Sequence, residues 1–223
     1  MSLEAPGRLL AGERLRERLR RDPRGGGIAI APLLEVTQVE RVTVDVRLGT
    51  EFQVSQHTRT AVFHPARAEP EAAAGAFFER TFRDFGESFV LYPGHFVLGC
   101  SFEYLRLPLD VCAELNGRSS LGRAGVAIRG FLQPGYMGVL TFELTNVSGT
   151  TVVIEPGMRV AQLTFFELDA PAAGEYFAAG AAKYLAATGP QVTRVAEEGD
   201  WRTLRRMRLG RGGGTWGPDE PKP

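Results

Sequence analysis

The second half of the chain is divided into short apolar runs that are separated by turn residues at close intervals. The turns are marked by Pro93-Gly94, Pro108, Pro134-Gly135 and Pro156-Gly157. The apolar runs between them are Phe89–Tyr92, Phe96–Phe102, Val111–Leu115, Val139–Leu144, Thr150–Ile154 and Val160–Phe166. Short strands at this spacing are typical of β-sandwiches and β-barrels. The sequence therefore predicts a mainly β fold.

The first half adds a helix and two strands to this pattern. Leu9–Arg21 places leucines among arginine and glutamate, and the following Asp22-Pro23 ends the pattern, so we expect a short N-terminal helix. Ile28–Leu34 and Val42–Phe52 are strand candidates. In the second, valine and leucine alternate with polar residues, as in a strand with one buried face.

Three parts are expected along the chain. Residues 1–27 form the N-terminal helix and a linker, residues 28–195 form one β domain, and residues 196–223 form a tail that is flexible or contacts a neighbouring subunit. Residues 65–78 are rich in alanine, proline and glutamate, which favours a loop or a short helix over the sheet.

Composition excludes several functional classes. Lysine plus arginine and aspartate plus glutamate number 26 each, so the zero formal net charge gives no field that would attract nucleic acid. No apolar run approaches the roughly 20 residues needed to cross a membrane, and no secretory signal is present, so we expect a cytoplasmic protein. Cys100 and Cys112 fit a pair of buried thiols, and the three histidines lack ligand spacing, which argues against a zinc site.

Asn116–Arg123 concentrates guanidinium groups, hydroxyls and glycines between two strand candidates. A turn of this composition can present N–H groups, hydroxyls and arginine forks to phosphate oxygens. An ordinary solvated loop has the same composition. The residues of this segment leave both interpretations open.

Pro134–Asn146 places a tight turn before a strand in which Glu143 stands between Phe142 and Leu144. Glu143 either faces solvent on a half-exposed strand or lies in a pocket, where desolvation would raise the pKa of its carboxyl group. The pattern does not choose between these alternatives. Tyr136 fits an aromatic core residue beside the turn.

Several segments together resemble the dCTP deaminases of the dCTP deaminase and trimeric dUTPase superfamily. They occur in the order seen in that family and span about residues 9–195. The segments are Thr43–Phe52, Phe89–Gly99, Gly117–Gly125, Pro134–Asn146, Pro156–Leu163 and Ala182–Pro190. Each is a weak signal alone, but their ordered combination is specific to the superfamily.

The resemblance implies a distorted β-barrel or jelly-roll-like fold of the dUTPase type, assembled as a homotrimer with active sites between subunits. It also implies a deoxycytidine nucleotide as substrate and Mg²⁺ bound through the triphosphate, without zinc. Glu143, Ser119 and Arg123 match catalytic positions. Matching substrate-binding positions are Arg118, Ser119, Ser120, Leu121, Gly122, Arg123, Gln133, Tyr136, Thr141, Phe142, Tyr176 and Lys183. Tyr136 corresponds to an aromatic residue that packs under deoxyribose.

The chain departs from the family pattern at three places. Residues 124–133 are two or three positions shorter than the usual hairpin, and Arg129-Gly130 stands where small residues read the pyrimidine. Gln133 replaces an aspartate that orients water in trimeric dUTPases, and an amide cannot act as a base there. Ala187 stands where the closing segment of the family often has glutamine.

Three functional hypotheses follow. The first is metal-independent hydrolytic deamination of dCTP to dUTP, in which Glu143 exchanges protons with water, N3 and the leaving amine. The second is a catalytically impaired trimer that still binds nucleotides. The third is a dUTP pyrophosphatase or a bifunctional enzyme, which Gln133 disfavours.

Overall fold

The computed structural model describes residues 8–56, 77–172, 184 and 186–195. β-structure dominates these ranges. The strands are β1 (Arg8–Leu9), β2 (Ala29–Ala31), β3 (Thr43–Ser55), β4 (Phe78–Phe82), β5 (Phe89–Leu91), β6 (Phe96–Arg106), β7 (Val111–Gly117), β8 (Val126–Ala127), β9 (Arg129–Leu132), β10 (Met137–Asn146), β11 (Val152–Ile154) and β12 (Arg159–Glu167). The helices are α1 (Gly12–Arg20) and α2 (Ser119–Arg123), with 3₁₀ turns at Pro23–Gly25 and Val36–Gln38. The expected mainly β fold is confirmed.

Ten of the described strands form one sheet. Its main path runs β8-β10-β6-β3-β12-β7-β9, and every pairing along that path is antiparallel. Strands β1, β2 and β4 attach to β12, β6 and β3, and β5 pairs with β11 as a separate ribbon. No helix in the described ranges is both long enough and apolar enough to cross a membrane.

The two end strands of the main sheet are consecutive in the chain and are joined by one residue. Strand β8 pairs with β10 at one end of the path, and β9 pairs with β7 at the other end, yet only Ile128 separates β8 from β9. Ile128 is 4% exposed, so the crossing is buried in the core. The barrel expectation is confirmed, but the expected hairpin over 124–133 is wrong, because its two strands pair with different partners and not with each other.

Strand β10 alternates between two environments. Leu140, Phe142 and Leu144 point into the core and are at most 2% exposed, whereas Thr141 and Glu143 lie on the opposite face. Burying a side chain such as Phe142 contributes about 1.5–3 kcal/mol to the stability of the fold. The alternation fixes the register of β10, because a shift by one residue would bury Glu143 and expose Phe142.

Both faces of β3 are covered, which the alternating sequence pattern did not predict. Asp45 is 1% exposed and Arg47 is 7% exposed, although they alternate with apolar residues. Glu103, which is fully buried on β6, accepts hydrogen bonds from the Arg47 backbone N–H at 2.8 Å, from the Arg47 guanidinium at 3.1 Å and from the Gln38 amide at 2.9 Å. Paired groups of this kind allow charges to lie inside the barrel.

The N-terminal helix packs against the barrel as expected, although it begins at Gly12 and not at Leu9. Its start is displaced because Arg8–Leu9 pairs with β12 as a strand. Leu15 is fully buried, and Arg18 donates hydrogen bonds to Asp110 at 2.5 Å and to the Gly26 carbonyl at 2.7 Å. The predicted helix is confirmed within residues 9–21.

Residues 184 and 186–195, here called the closing segment, lie along β10. The Ala186 N–H donates to the Met137 carbonyl at 2.7 Å, and the Val139 N–H donates to the Ala187 carbonyl at 2.9 Å. Gly138 lies between these two bonds with a φ of +141°, and a Cβ there would lie 2.8 Å from the Ala187 nitrogen. Only glycine fits this close approach.

We expect Gly138→Ala to detach the closing segment from β10. The methyl group would meet backbone atoms, and the φ of Gly138 is unfavourable for a residue with a side chain, so we expect a cost of about 1–3 kcal/mol. Hydrogen exchange at the Val139 and Ala186 amides should accelerate. Gly149→Ala is the matched control, because a Cβ at Gly149 meets no atom within 4 Å. Unchanged exchange in Gly138→Ala would contradict this role of Gly138.

Candidate active site

A cavity of about 520 Å³ lies between β6, β7, β9, β10 and the closing segment. Its volume is within the range of pockets that bind small ligands, about 300–1,000 Å³. Most of its wall is apolar or aromatic. The residues that form this wall include Phe78, Phe96, Leu98, Leu115, Phe131 and Tyr184. A flat aromatic ring would fit such walls.

Two charged residues line this cavity in the described part of the chain, Glu143 and Arg129. Glu143 reaches it because odd-numbered residues of β10 face away from the core, and its neighbour across the sheet is Leu98 of β6. Each of the two sequence interpretations of Glu143 is therefore correct in part, because the residue is exposed and also lines a pocket. Arg129, which sequence reasoning treated only as a departure from the family pattern, shares the same cavity.

Thr141 and Tyr136 also line the cavity, and hydrogen bonds fix both side chains. The Thr141 hydroxyl accepts from the Gln191 N–H at 3.1 Å, which ties the closing segment to β10. The Tyr136 hydroxyl donates to the Val139 carbonyl at 2.7 Å. With its hydroxyl group held in this way, Tyr136 presents its ring to the cavity.

The segment predicted to bind phosphate is a short helix and not a turn. After β7 the Arg118 N–H donates to the Val160 carbonyl at 3.0 Å, and helix α2 follows. Leu121 is 8% exposed and anchors α2 in the core. The other residues of α2 are exposed. In the described part of the chain, the side chains of Ser119, Ser120 and Arg123 make no hydrogen bond or ion pair.

Sequence reasoning missed Asp45, which lies beside Arg118, and Arg159, which lies beside Asp45. The Asp45 carboxylate lies 3.4 Å from the Arg118 Nε and 3.5 Å from an Arg159 nitrogen. The Asp45 Oδ1 is buried and accepts no hydrogen bond from the residues that the structure describes. Burial raises the pKa of Asp45, and the Arg118 guanidinium offsets part of that effect. The only sequence signal was the polar position of Asp45 in β3, which indicates a solvent-facing side chain.

The structure brings only some of the predicted site residues together. Glu143, Thr141 and Tyr136 line the cavity, whereas none of residues 118–123 does. Gln133 is exposed outside the cavity, and the side chain of Phe142 lies in the core, where it cannot reach a ligand. The side chain of Leu121 is also in the core. Tyr176 and Lys183 lie outside the described residues.

No group of three or more histidine, cysteine, aspartate or glutamate side chains within the described ranges is placed to hold a metal ion. Cys100 and Cys112 are buried free thiols, and burial raises the pKa of each. The thiols therefore remain protonated at neutral pH. The charged chemistry of the cavity rests on Glu143 and Arg129.

Comparison with known proteins decides the family. A model of the dCTP deaminase-like family matches residues 9–168. A Natronomonas pharaonis protein named dCTP deaminase is 41% identical over 174 residues, which cover 76% of this chain and 88% of the relative. A Beutenbergia cavernae protein named dCTP deaminase, dUMP-forming, is 39% identical over 173 residues, which cover 76% of this chain and 87% of the relative. The chain belongs to the dCTP deaminase-like family.

The fold agrees with this assignment. The crystal structure of 2′-deoxycytidine 5′-triphosphate deaminase from Agrobacterium tumefaciens superposes with a TM-score of 0.55 at 23% identity, covering 73% of this chain and 49% of that one. The part of the chain that matches the dCTP deaminase-like family includes Arg118, Arg129 and Glu143. The closing segment follows the matched region.

We expect Asp45→Asn to increase the free energy of unfolding at neutral pH. Because the pKa of Asp45 is raised in the folded chain, its protonated form favours folding. This contribution is fully present below about pH 4, the ordinary pKa of aspartate, and is lost as the pH rises through the raised value. Asparagine does not ionise, so the advantage of the variant should grow with pH across that window. Urea unfolding at several pH values measures it.

The matched control for this prediction is Glu114→Gln, which removes one negative charge at an exposed position of β7. It separates the effect of burial from the effect of net charge. An advantage of Asp45→Asn that stays constant as the pH rises would contradict burial as the main influence on the pKa of Asp45.

Proposed function

We propose that the protein converts dCTP and water to dUTP and ammonia in the cytoplasm. The observation that carries this proposal is the position of Glu143, a carboxylate at the wall of an otherwise largely apolar cavity large enough for a nucleotide base. The names of the relatives, dCTP deaminase in several cases, support the same substrate.

The active site is completed by a second subunit of a homotrimer. Two observations support this part of the proposal. The cavity of one chain contains Glu143 but none of the residues 118–123. The hydroxyl groups of α2 and the Arg123 guanidinium face outward without partners in the described part of the chain. A neighbouring subunit would place Arg118 and α2 beside the cavity, where they bind the triphosphate together with its Mg²⁺.

Glu143 acts as base and then as acid. Its carboxylate takes a proton from water while the water oxygen attacks C4, and the electron pair of the C4=N3 bond moves onto N3. Glu143 passes the proton to N3, and the second proton of the water follows through the same carboxylate to the amine. The C4–N4 bond then breaks, its electron pair stays on nitrogen, and ammonia leaves. The oxygen that came from water becomes the carbonyl oxygen at C4. Ser119 and Arg123 of the neighbouring subunit hold the water and the base.

The product is dUTP and not dUMP. Some relatives are named as dUMP-forming, so the second reaction is chemically close. In this chain Gln133 stands where the attacking water would need a carboxylate, and it is exposed outside the cavity. An amide cannot accept the proton of that water.

A trimer that binds nucleotides without converting them is the second candidate. The observation that favours it is the short stretch between α2 and β10, in which Arg129 stands where the family has small residues. Incubation with dCTP and Mg²⁺ separates the candidates. Release of ammonia supports deamination, binding of dCTP without ammonia supports the second candidate, and release of pyrophosphate from dUTP would contradict dUTP as the final product.

We expect Glu143→Gln to lower kcat by at least about 10²-fold, because glutamine cannot exchange protons with water. Binding of dCTP, measured by calorimetry, should change little, since the two side chains have similar shapes. Glu114→Gln is the matched control, because Glu114 is exposed on β7 away from the cavity. Full activity of Glu143→Gln would remove Glu143 from its role.

Mixed trimers test the shared site. Glu143→Gln and Ser119→Ala subunits should each be inactive alone, but coexpression should restore activity at about one quarter of the sites, where both residues are intact. The reason is that each site takes Glu143 and Ser119 from different chains. If both came from the same chain, every mixed site would lack one of them and no activity would return.

A further inference from the structure

We propose that Arg129 binds the O2 atom of cytosine and stabilises the negative charge that develops on the base when water attacks C4. This role rests on the proposed deamination. It gives the short 124–133 stretch a catalytic function and replaces contacts that the missing residues make in the family pattern.

The position of Arg129 is fixed by strand pairing. It is the first residue of β9 and lies opposite Asn116 of β7 in the antiparallel register. The next residue, Gly130, packs against Leu115, and a Cβ at Gly130 would lie 3.3 Å from a Leu115 methyl group. The main chain that carries the guanidinium therefore belongs to the barrel wall and not to a loop, which suits a group that must be held in place.

The charge of Arg129 is available. In the described part of the chain its guanidinium makes no ion pair or hydrogen bond, although it shares the cavity with Glu143. Arg129 and Glu143 form no ion pair with each other, so both side chains can turn toward a polar ring bound in the cavity. C4 and C2 both flank N3 in cytosine, so a base with Glu143 at N3 and the C4 amine has its O2 atom on the same edge, where a second group can contact it.

The chemistry of the base matches a cation at this place. Attack of water at C4 moves the π-electron pair of C4=N3 onto N3, and resonance through C2 shares that charge with O2. A guanidinium has only donors and can direct two N–H groups at one oxygen. Donors aimed at an atom that gains charge in the transition state accelerate a reaction more than they strengthen substrate binding. Glu143 still delivers the proton to N3.

The first experiment measures steady-state kinetics of Arg129→Gln and Arg129→Lys with dCTP. We expect Arg129→Gln to lower kcat by about 10²-fold with a much smaller change in KM. Arg129→Lys keeps the positive charge but lacks the paired N–H donors of the guanidinium, so its kcat should lie between those of Arg129→Gln and the wild type. The control is Arg106→Gln, because Arg106 is exposed at the end of β6 and does not line the cavity. A rise in KM without a fall in kcat would overturn the proposal.

The second experiment changes the atom that Arg129 contacts. In 2-thio-dCTP a sulfur replaces O2, and sulfur is a weak hydrogen-bond acceptor. Wild-type protein should lose kcat with this substrate, whereas Arg129→Gln should treat the two substrates nearly alike, because the contact is already absent. An equal loss in both proteins would place Arg129 elsewhere and overturn the proposal.

Two further outcomes separate this role from the proposed function. If the wild type releases no ammonia from dCTP, the deaminase proposal fails and the role of Arg129 fails with it. If the wild type is active and Arg129→Gln has unchanged kcat, only the role of Arg129 fails. Sedimentation of Arg129→Gln must show the wild-type assembly, because dissociation would mean that Arg129 pairs with a neighbouring subunit.

Discussion

The crossing at Ile128 determines most of the architecture. The chain leaves the strand beside β10 and enters the strand beside β7 within one residue, so both ends of a long sheet are held at a fixed separation. Apolar burial of Ile128 stabilises this closure. The cavity that contains Glu143 and Arg129 lies between the walls that meet there. Barrel closure and the closing segment together shape this cavity.

The sequence predicted the strands better than their partners. Period-2 alternation and Pro-Gly turns located β3, β6, β7, β10 and β12, because these signals are local. Pairing depends on contacts between distant segments, so the division of 126–132 between two edges was missed. Asp45 shows the same limit, since alternation indicates a second face of β3 but does not reveal that other elements cover it.

The candidate site was predictable as a set of residues but not as a geometry. The segments around α2 and β10 were identified through their resemblance to the dCTP deaminases, because their arginine, serine and glutamate residues alone also fit a solvated loop and an exposed strand. Only the three-dimensional structure shows that β10 contributes to a cavity and α2 to an outward surface. In the sequence, Arg129 is only a departure from the family pattern, because a comparison of sequences shows which residues are replaced but not what the new side chain contacts. The cavity shows what the replacement residue faces.

The contact between Gly138 and Ala187 joins the closing segment to β10 through the main chain. The closing segment is attached near Gly138 through main-chain hydrogen bonds, which impose little requirement on the side chains of Ala186 and Ala187. Substitutions there can accumulate while the attachment persists, provided that the glycine is retained. A segment attached in this way can change the side chains that it turns toward the cavity, such as those of Tyr184 and Thr193, without losing its attachment to β10.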